Sequence, residues 1–159
     1  MKPHLLIDVD GVLNPLSNAR LPRGFAKYEL LGFEVWLNPL HGTWLNGLAV
    51  WYDLVWATTW EHDAPRLIAP RIGLHGQLDV IEFSRGAAGT TWKLPDIERY
   101  VGDAPFAWID DEIGEDALAW AEARSEPTLL IRTDMSVGFT EGHYQRLEEF
   151  GRNLVANSS

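Results

Sequence analysis

The chain has 159 residues and 46% hydrophobic content, enough to bury one core, so a single domain over residues 1–156 with a short tail at 157–159 is expected. The absence of cysteine excludes a disulfide framework, a thiolate metal site and a thiol nucleophile. A net charge of −10 disfavours long polyanions, and no apolar stretch reaches membrane-spanning length, so neither tight polynucleotide binding nor a membrane partner is expected.

Only three apolar residues separate the first four positions from Asp8, too few for a signal-peptide core, and a cytoplasmic protein is expected. Leu5-Leu6-Ile7 reads as a buried strand that delivers Asp8 and Asp10 to its carboxyl end, with Gly11 directly behind them. Residues 14–24 read as a loop. Residues 25–37 partly alternate and break at Gly32, which predicts a small β-hairpin flap projecting near the site. Asn38-Pro39 then opens a helix carrying Leu40, Trp44, Leu45, Leu48 and Trp51, although Gly42 and Gly47 each weaken it by roughly 1 kcal/mol.

Residues 53–58 form a second short strand ending in Thr58-Thr59. Asp63 with Pro65 opens a short helix expected to stop by Pro70. A third strand is expected over 78–83, followed by a flexible loop over 84–91 with glycine at 86 and 89. Lys93 stands at the entrance to a two-turn helix, 95–101, stopped by Gly102. The fourth strand, 105–109, ends in Asp110-Asp111-Glu112, and the helix 115–124 turns Leu118 and Ala121 inward. A fifth strand, 128–132, precedes a closing helix that Thr140 opens and Tyr144, Leu147, Phe150, Leu154 and Val155 mark. Strands alternating with helices predict an α/β fold: a Rossmann-like, mainly parallel five-stranded sheet with helices on both faces.

Three strands thus end in polar residues with chemistry to offer. Magnesium takes hard oxygen ligands, which Asp8 and one of Asp110 and Asp111 can supply from neighbouring strands. Carboxylates crowded this way repel one another until a cation intervenes. A carboxylate can also attack phosphorus and form an aspartyl phosphate, while Asp10 protonates the leaving oxygen and later activates water. Thr58, Thr59 and Lys93 offer hydroxyl, backbone N–H and ammonium donors to the phosphoryl oxygens.

These features resemble the haloacid dehalogenase superfamily of phosphohydrolases. Asp8-Val9-Asp10-Gly11-Val12 matches its first motif, which implies Asp8 as nucleophile and Asp10 as acid/base. Val55-Trp56-Ala57-Thr58 resembles the second motif, Lys93 suits the third, and Trp108-Ile109-Asp110-Asp111 resembles the fourth. The resemblance implies Mg²⁺ as cofactor and a metal set of Asp8, Asp10, Asp111 and Asp110, with Asp111 the first choice for direct ligation. Between Thr58 and Thr59, the first is the preferred phosphate ligand. The intervals between motifs are short, implying no large cap domain and an open site. Asn38-Pro39, Trp56-Ala57-Thr58-Thr59-Trp60-Glu61 and Trp108-Ile109-Asp110-Asp111-Glu112 further resemble the subfamily associated with RNA repair, which implies phosphate removal at nucleic-acid ends.

The expected activity is therefore Mg²⁺-dependent hydrolysis of a small phosphorylated substrate. A nucleic-acid 3′-phosphatase is the alternative that net charge weighs against, and a silent phosphate-binding module is the non-enzymatic one. Trp60 reads either as rim packing or as a stacking surface. Glu115 and Asp116 read as helix-start acids or outer metal support, and Arg20, Arg23 and Lys27 as substrate contacts or a solvated edge. The five histidines show no ligand spacing and read as incidental. Oligomeric state and substrate identity are not legible.

Overall fold

The computed structural model describes residues 2–84 and 89–158. Its elements in chain order are β1 (His4–Ile7), β2 (Ala26–Leu30), β3 (Phe33–Leu37), α1 (Pro39–Leu48), β4 (Asp53–Trp56), α2 (Ala69–Ile72), β5 (Asp79–Val80), α3 (Leu94–Val101), β6 (Phe106–Asp110), α4 (Glu115–Ala123), β7 (Thr128–Arg132) and α5 (Glu141–Asn157). Five strands form one parallel sheet in the order β5-β4-β1-β6-β7, and β2 and β3 form a separate antiparallel hairpin. The α/β class, the parallel sheet and the hairpin flap are as the sequence predicts.

Both faces of the sheet are apolar, and alternate residues of β1 serve opposite sides. Leu5 and Ile7 pack with Leu45 and Leu48 of α1, Ile72 of α2 and Leu147 of α5. Leu6 packs on the other face with Ile97 and Val101 of α3 and Ala117 of α4. At about 1.5–3 kcal/mol for each large apolar side chain removed from water, these two layers are the main force ordering the sheet. β1 sits at its centre, so Asp8 emerges between β4 and β6.

Local signals account for most boundaries. Asn38 caps α1 by accepting from the Leu40 N–H at 3.0 Å, with Pro39 in the first helical turn. Thr140 and His143 form a reciprocal capping box at the start of α5, which gives that histidine a structural task. His41 has another: it is buried in α1, with Nε2 2.9 Å from the Phe139 carbonyl.

Several expectations need correction. The helix opened by Asp63 does not stop at Pro70. A π-helical turn over Ala64–Ile68 closes with the Ala69 N–H on the Ala64 carbonyl, and α2 continues through Pro70 until Gly73 ends it at φ 69°. Proline in the first turn of a new helical segment costs no bond, because that N–H has no intrahelical acceptor. The strand expected over 78–83 pairs only as Asp79–Val80. Beyond Ile81 the backbone donates to side chains instead, Phe83 N–H to Glu61 Oε2 at 3.0 Å and Ser84 N–H to Asp96 Oδ2 at 3.1 Å. In α4 Leu118 packs against the core as expected, but the fully buried residue is Ala117, with Ala121 only partly covered. Of the loop expected over 84–91, residues 85–88 lie outside the described residues. α5 runs to Asn157, into the expected tail.

Gly42 is no weak point of α1. A Cβ there would lie 1.6 Å from the Ile72 carbonyl oxygen, so the glycine is what lets α1 and α2 touch. Among the described residues no helix is long and apolar enough to cross a membrane.

Candidate active site

The parallel register places the ends of β1, β4 and β6 side by side. Ile7 is level with Trp56 and Ile109, and the Asp8 N–H donates to the Ile109 carbonyl at 3.2 Å. Asp8 therefore meets Asp110 across one strand boundary and the Ala57-Thr58 corner across the other. Ligands of open α/β sheets bind at this carboxyl edge.

Carboxylate oxygens of Asp8, Asp110 and Asp111 lie within 4.8 Å of one another. Lys93, at the N-terminus of α3, reaches in beneath them. Its ammonium donates to Asp110 Oδ2 at 2.6 Å and the Ala57 carbonyl at 2.9 Å, and sits 3.2 Å from Asp8 Oδ1. On the Asp8 carboxylate, the contacts from Lys93 and from the Val9 N–H at 2.8 Å fall on Oδ1. Oδ2 accepts neither.

Electrostatics follow from the burial. Desolvation acts to lower the Lys93 pKa, but the adjacent Asp8 and Asp110 charges outweigh it, and the ammonium is held well above its ordinary range. Burial pushes the Asp8 carboxyl well up, against Lys93 and with Asp110. Burial, then the charges of Asp110 and Glu112, raise Asp111 to about 6. One ammonium thus serves two of the three carboxylates, and Asp111 is the acid left without it and half-exposed. This donor set fits a hard divalent cation, whose charge would remove the remaining repulsion.

Gly11 makes the cluster possible. Its φ is +80°, and a Cβ would lie 2.3 Å from Asp111 Cγ. The acid-glycine spacing after β1 is therefore a requirement of Asp111, the acid that follows β6.

Asp10 is brought to the site but its carboxylate lies outside the three-acid group. Oδ1 accepts from Asn14 Nδ2 at 2.9 Å, and Oδ2 accepts from Trp60 Nε1 at 3.1 Å. Asn14, read from the sequence only as the start of a loop, also accepts the Trp36 N–H at 2.9 Å, so it ties the acid to the hairpin. In the sequence the signal is an amide set between Leu13 and Pro15-Leu16. Thr58 is fully buried and its Oγ1 accepts the Trp60 N–H at 3.2 Å. Thr59 is exposed on the rim of a cavity that Asp10 also lines.

Asp116 supports the loop before Lys93. It accepts from Thr91 through both Oγ1, at 2.6 Å, and the backbone N–H, at 3.0 Å, and these bonds hold its carboxyl below its usual range. Thr91 Oγ1 in turn accepts the Gly114 N–H at 2.8 Å. The link between the third and fourth motifs is thus a side-chain bridge that spacing alone does not display. Arg20 and Arg23 are exposed, Lys27 pairs with Glu34 at 3.6 Å on the exposed hairpin, and none of the three lines the cavity.

The family model described as "HAD domain in Swiss Army Knife RNA repair proteins" matches residues 4–144. The chain belongs to this family. The matched stretch of the HAD domain takes in the whole parallel sheet, the hairpin and every acid of the site, and extends into the first turn of α5. HAD domains are generally hydrolases, and that class suits the acids gathered here. No curated protein and no solved structure matches the chain.

Proposed function

We propose that this HAD domain is a Mg²⁺-dependent phosphomonoesterase working through an aspartyl phosphate on Asp8. The observation that carries the reading is the convergence of Asp8, Asp110 and Asp111 at adjoining strand ends, with the Lys93 ammonium on Asp8 and Asp110. Asp8, Asp111 and Asp110 would hold the cation, which when bound neutralises charge on the phosphoryl group. Asp8 Oδ2 attacks phosphorus while the bond to the leaving oxygen breaks and Asp10 gives that oxygen its proton. Asp10, now a carboxylate, takes a proton from water as the water oxygen attacks phosphorus. The bond to Asp8 then breaks, releasing phosphate and restoring both acids. Thr58 and Thr59, at the end of β4, are the proposed phosphate ligands, with Lys93 countering the charge. Turnover of a phosphomonoester panel with Mg²⁺, lost in Asp8→Asn and Asp10→Asn, tests this. Phosphate binding by calorimetry without any turnover would instead favour a silent module.

The family's description favours a second reading, phosphate removal at an RNA end. The net charge of −10 weighs against tight polynucleotide binding. An end-labelled 3′-phosphorylated oligonucleotide, assayed at two salt concentrations, discriminates between the two.

A further inference from the structure

We infer that the cavity between the hairpin tip and the turn over residues 58–63 is a leaving-group subsite for one nucleoside, its base stacked against Trp60 and Phe33. The inference rests on the proposed phosphatase reading, because it assigns what hangs from the oxygen that Asp10 would protonate. The cavity is about 450 Å³, within the roughly 300–1,000 Å³ of small-molecule sites. Asp10 forms part of its wall, so a group bonded to the leaving oxygen has this space as its nearest recess.

The wall is built for a flat ring. Phe33 and Trp60 meet edge-on with centroids 6.4 Å apart, and both line the cavity. The indole is held by Nε1 donating to Asp10 Oδ2, and the Trp60 backbone N–H donates to Thr58 Oγ1. Phe33 is 64% exposed and Leu31 56%, beside the turn where Leu31 (φ 54°) and Gly32 (φ 80°) reverse the chain. Neither side chain contributes to the buried core, yet both face this recess. Aromatic rings held at such a wall offer every nucleobase a π-face, whatever its sequence.

The polar part of the wall is already partnered. Of its carboxylates among the described residues, Glu34 pairs with Lys27 at 3.6 Å and Asp63 with Arg66 at 2.7 Å, while Asp10 accepts from Asn14 and Trp60. A neutral ring bearing N–H donors is accommodated beside these oxygens. Rim packing alone does not require two aromatic side chains to face an open recess next to an acid.

The test separates this inference from the catalytic reading by measuring binding without chemistry. Calorimetric titration of the wild-type chain with adenosine and ribose is expected to show adenosine binding, and ribose weaker by at least about fivefold. Phe33→Leu keeps an apolar side chain and is expected to weaken adenosine by about fivefold or more, while Phe33→Trp keeps a ring and retains it. With turnover established, the ratio of kcat/KM for adenosine monophosphate to that for ribose 5-phosphate should fall in Phe33→Leu through KM. Equal affinity for adenosine and ribose, no adenosine binding at all, or equal affinities in Phe33→Leu and Phe33→Trp overturns the subsite. Adenosine bound as expected by a chain that hydrolyses nothing overturns the phosphatase reading and leaves the subsite standing.

Discussion

Lys93 Nζ stands 2.6 Å from Asp110 Oδ2, with the two side chains 4% and 0% exposed. Removing one partner of such a pair leaves a buried charge uncompensated, a loss of roughly 3–5 kcal/mol. Lys93→Met is therefore expected to destabilise the domain on that scale in urea unfolding. Combining it with Asp110→Asn should recover part of the loss, because the second change removes the stranded carboxylate. A double variant no more stable than Lys93→Met would contradict the pairing.

Gly11→Ala sets a Cβ 2.3 Å from Asp111 Cγ and strains a backbone at φ +80°. The strain costs on the order of 1–3 kcal/mol, and Asp111 has to swing away. Activity at saturating Mg²⁺ should drop at least about tenfold, the scale of a disturbed ligand shell. A variant that folds and keeps full activity would show that Asp111 is dispensable.

In an isolated helix, replacing Gly42 by alanine gains roughly 1 kcal/mol. Here the added carbon would lie 1.6 Å from the Ile72 carbonyl oxygen, and overpacking of this kind costs about 1–3 kcal/mol or more. The clash wins. Gly42→Ala should lower the melting temperature, and a rise would mean that α1 and α2 separate without cost.

His41 gives the fold an acid limit. Burial lowers its pKa to about 4, against the partial counter-effect of its bond to Phe139. Unfolded, the ring titrates near 6.5, so between pH 6.5 and 4 the unfolded chain takes up a proton that the folded chain refuses. Its contribution is complete above pH 6.5 and is lost as pH falls through this window, by up to roughly 3 kcal/mol. His41→Gln should therefore lose less stability than the parent between pH 7 and 4.5. Parallel losses in urea titrations at the two pH values would remove His41 from the acid response.

How much of this was legible depended on whether a signal was local. The apolar runs at 5–7 and 105–109, the Asn38-Pro39 cap and the Thr140 start are local, and each lies where the sequence puts it. The helix through Pro70 is not visible in the sequence because a π-helical turn before the proline resets the register, which a propensity rule for helix interiors does not anticipate. Gly42 looked like a defect because its reason, the Ile72 carbonyl, lies 30 residues away. The site's acids stood out because they end strands. Their supports, Asn14 behind Asp10 and Asp116 behind Thr91, act through tertiary bonds between common residue types, and no spacing announces them.

The most direct measurement is the intact mass of the chain after acid quench during turnover of a phosphomonoester with Mg²⁺. A population heavier by one phosphoryl group, mapped to the peptide that carries Asp8 and absent from Asp8→Asn, is the predicted result. Hydrolysis at an undiminished rate in Asp8→Asn, with no phosphorylated chain at any quench time, would contradict it.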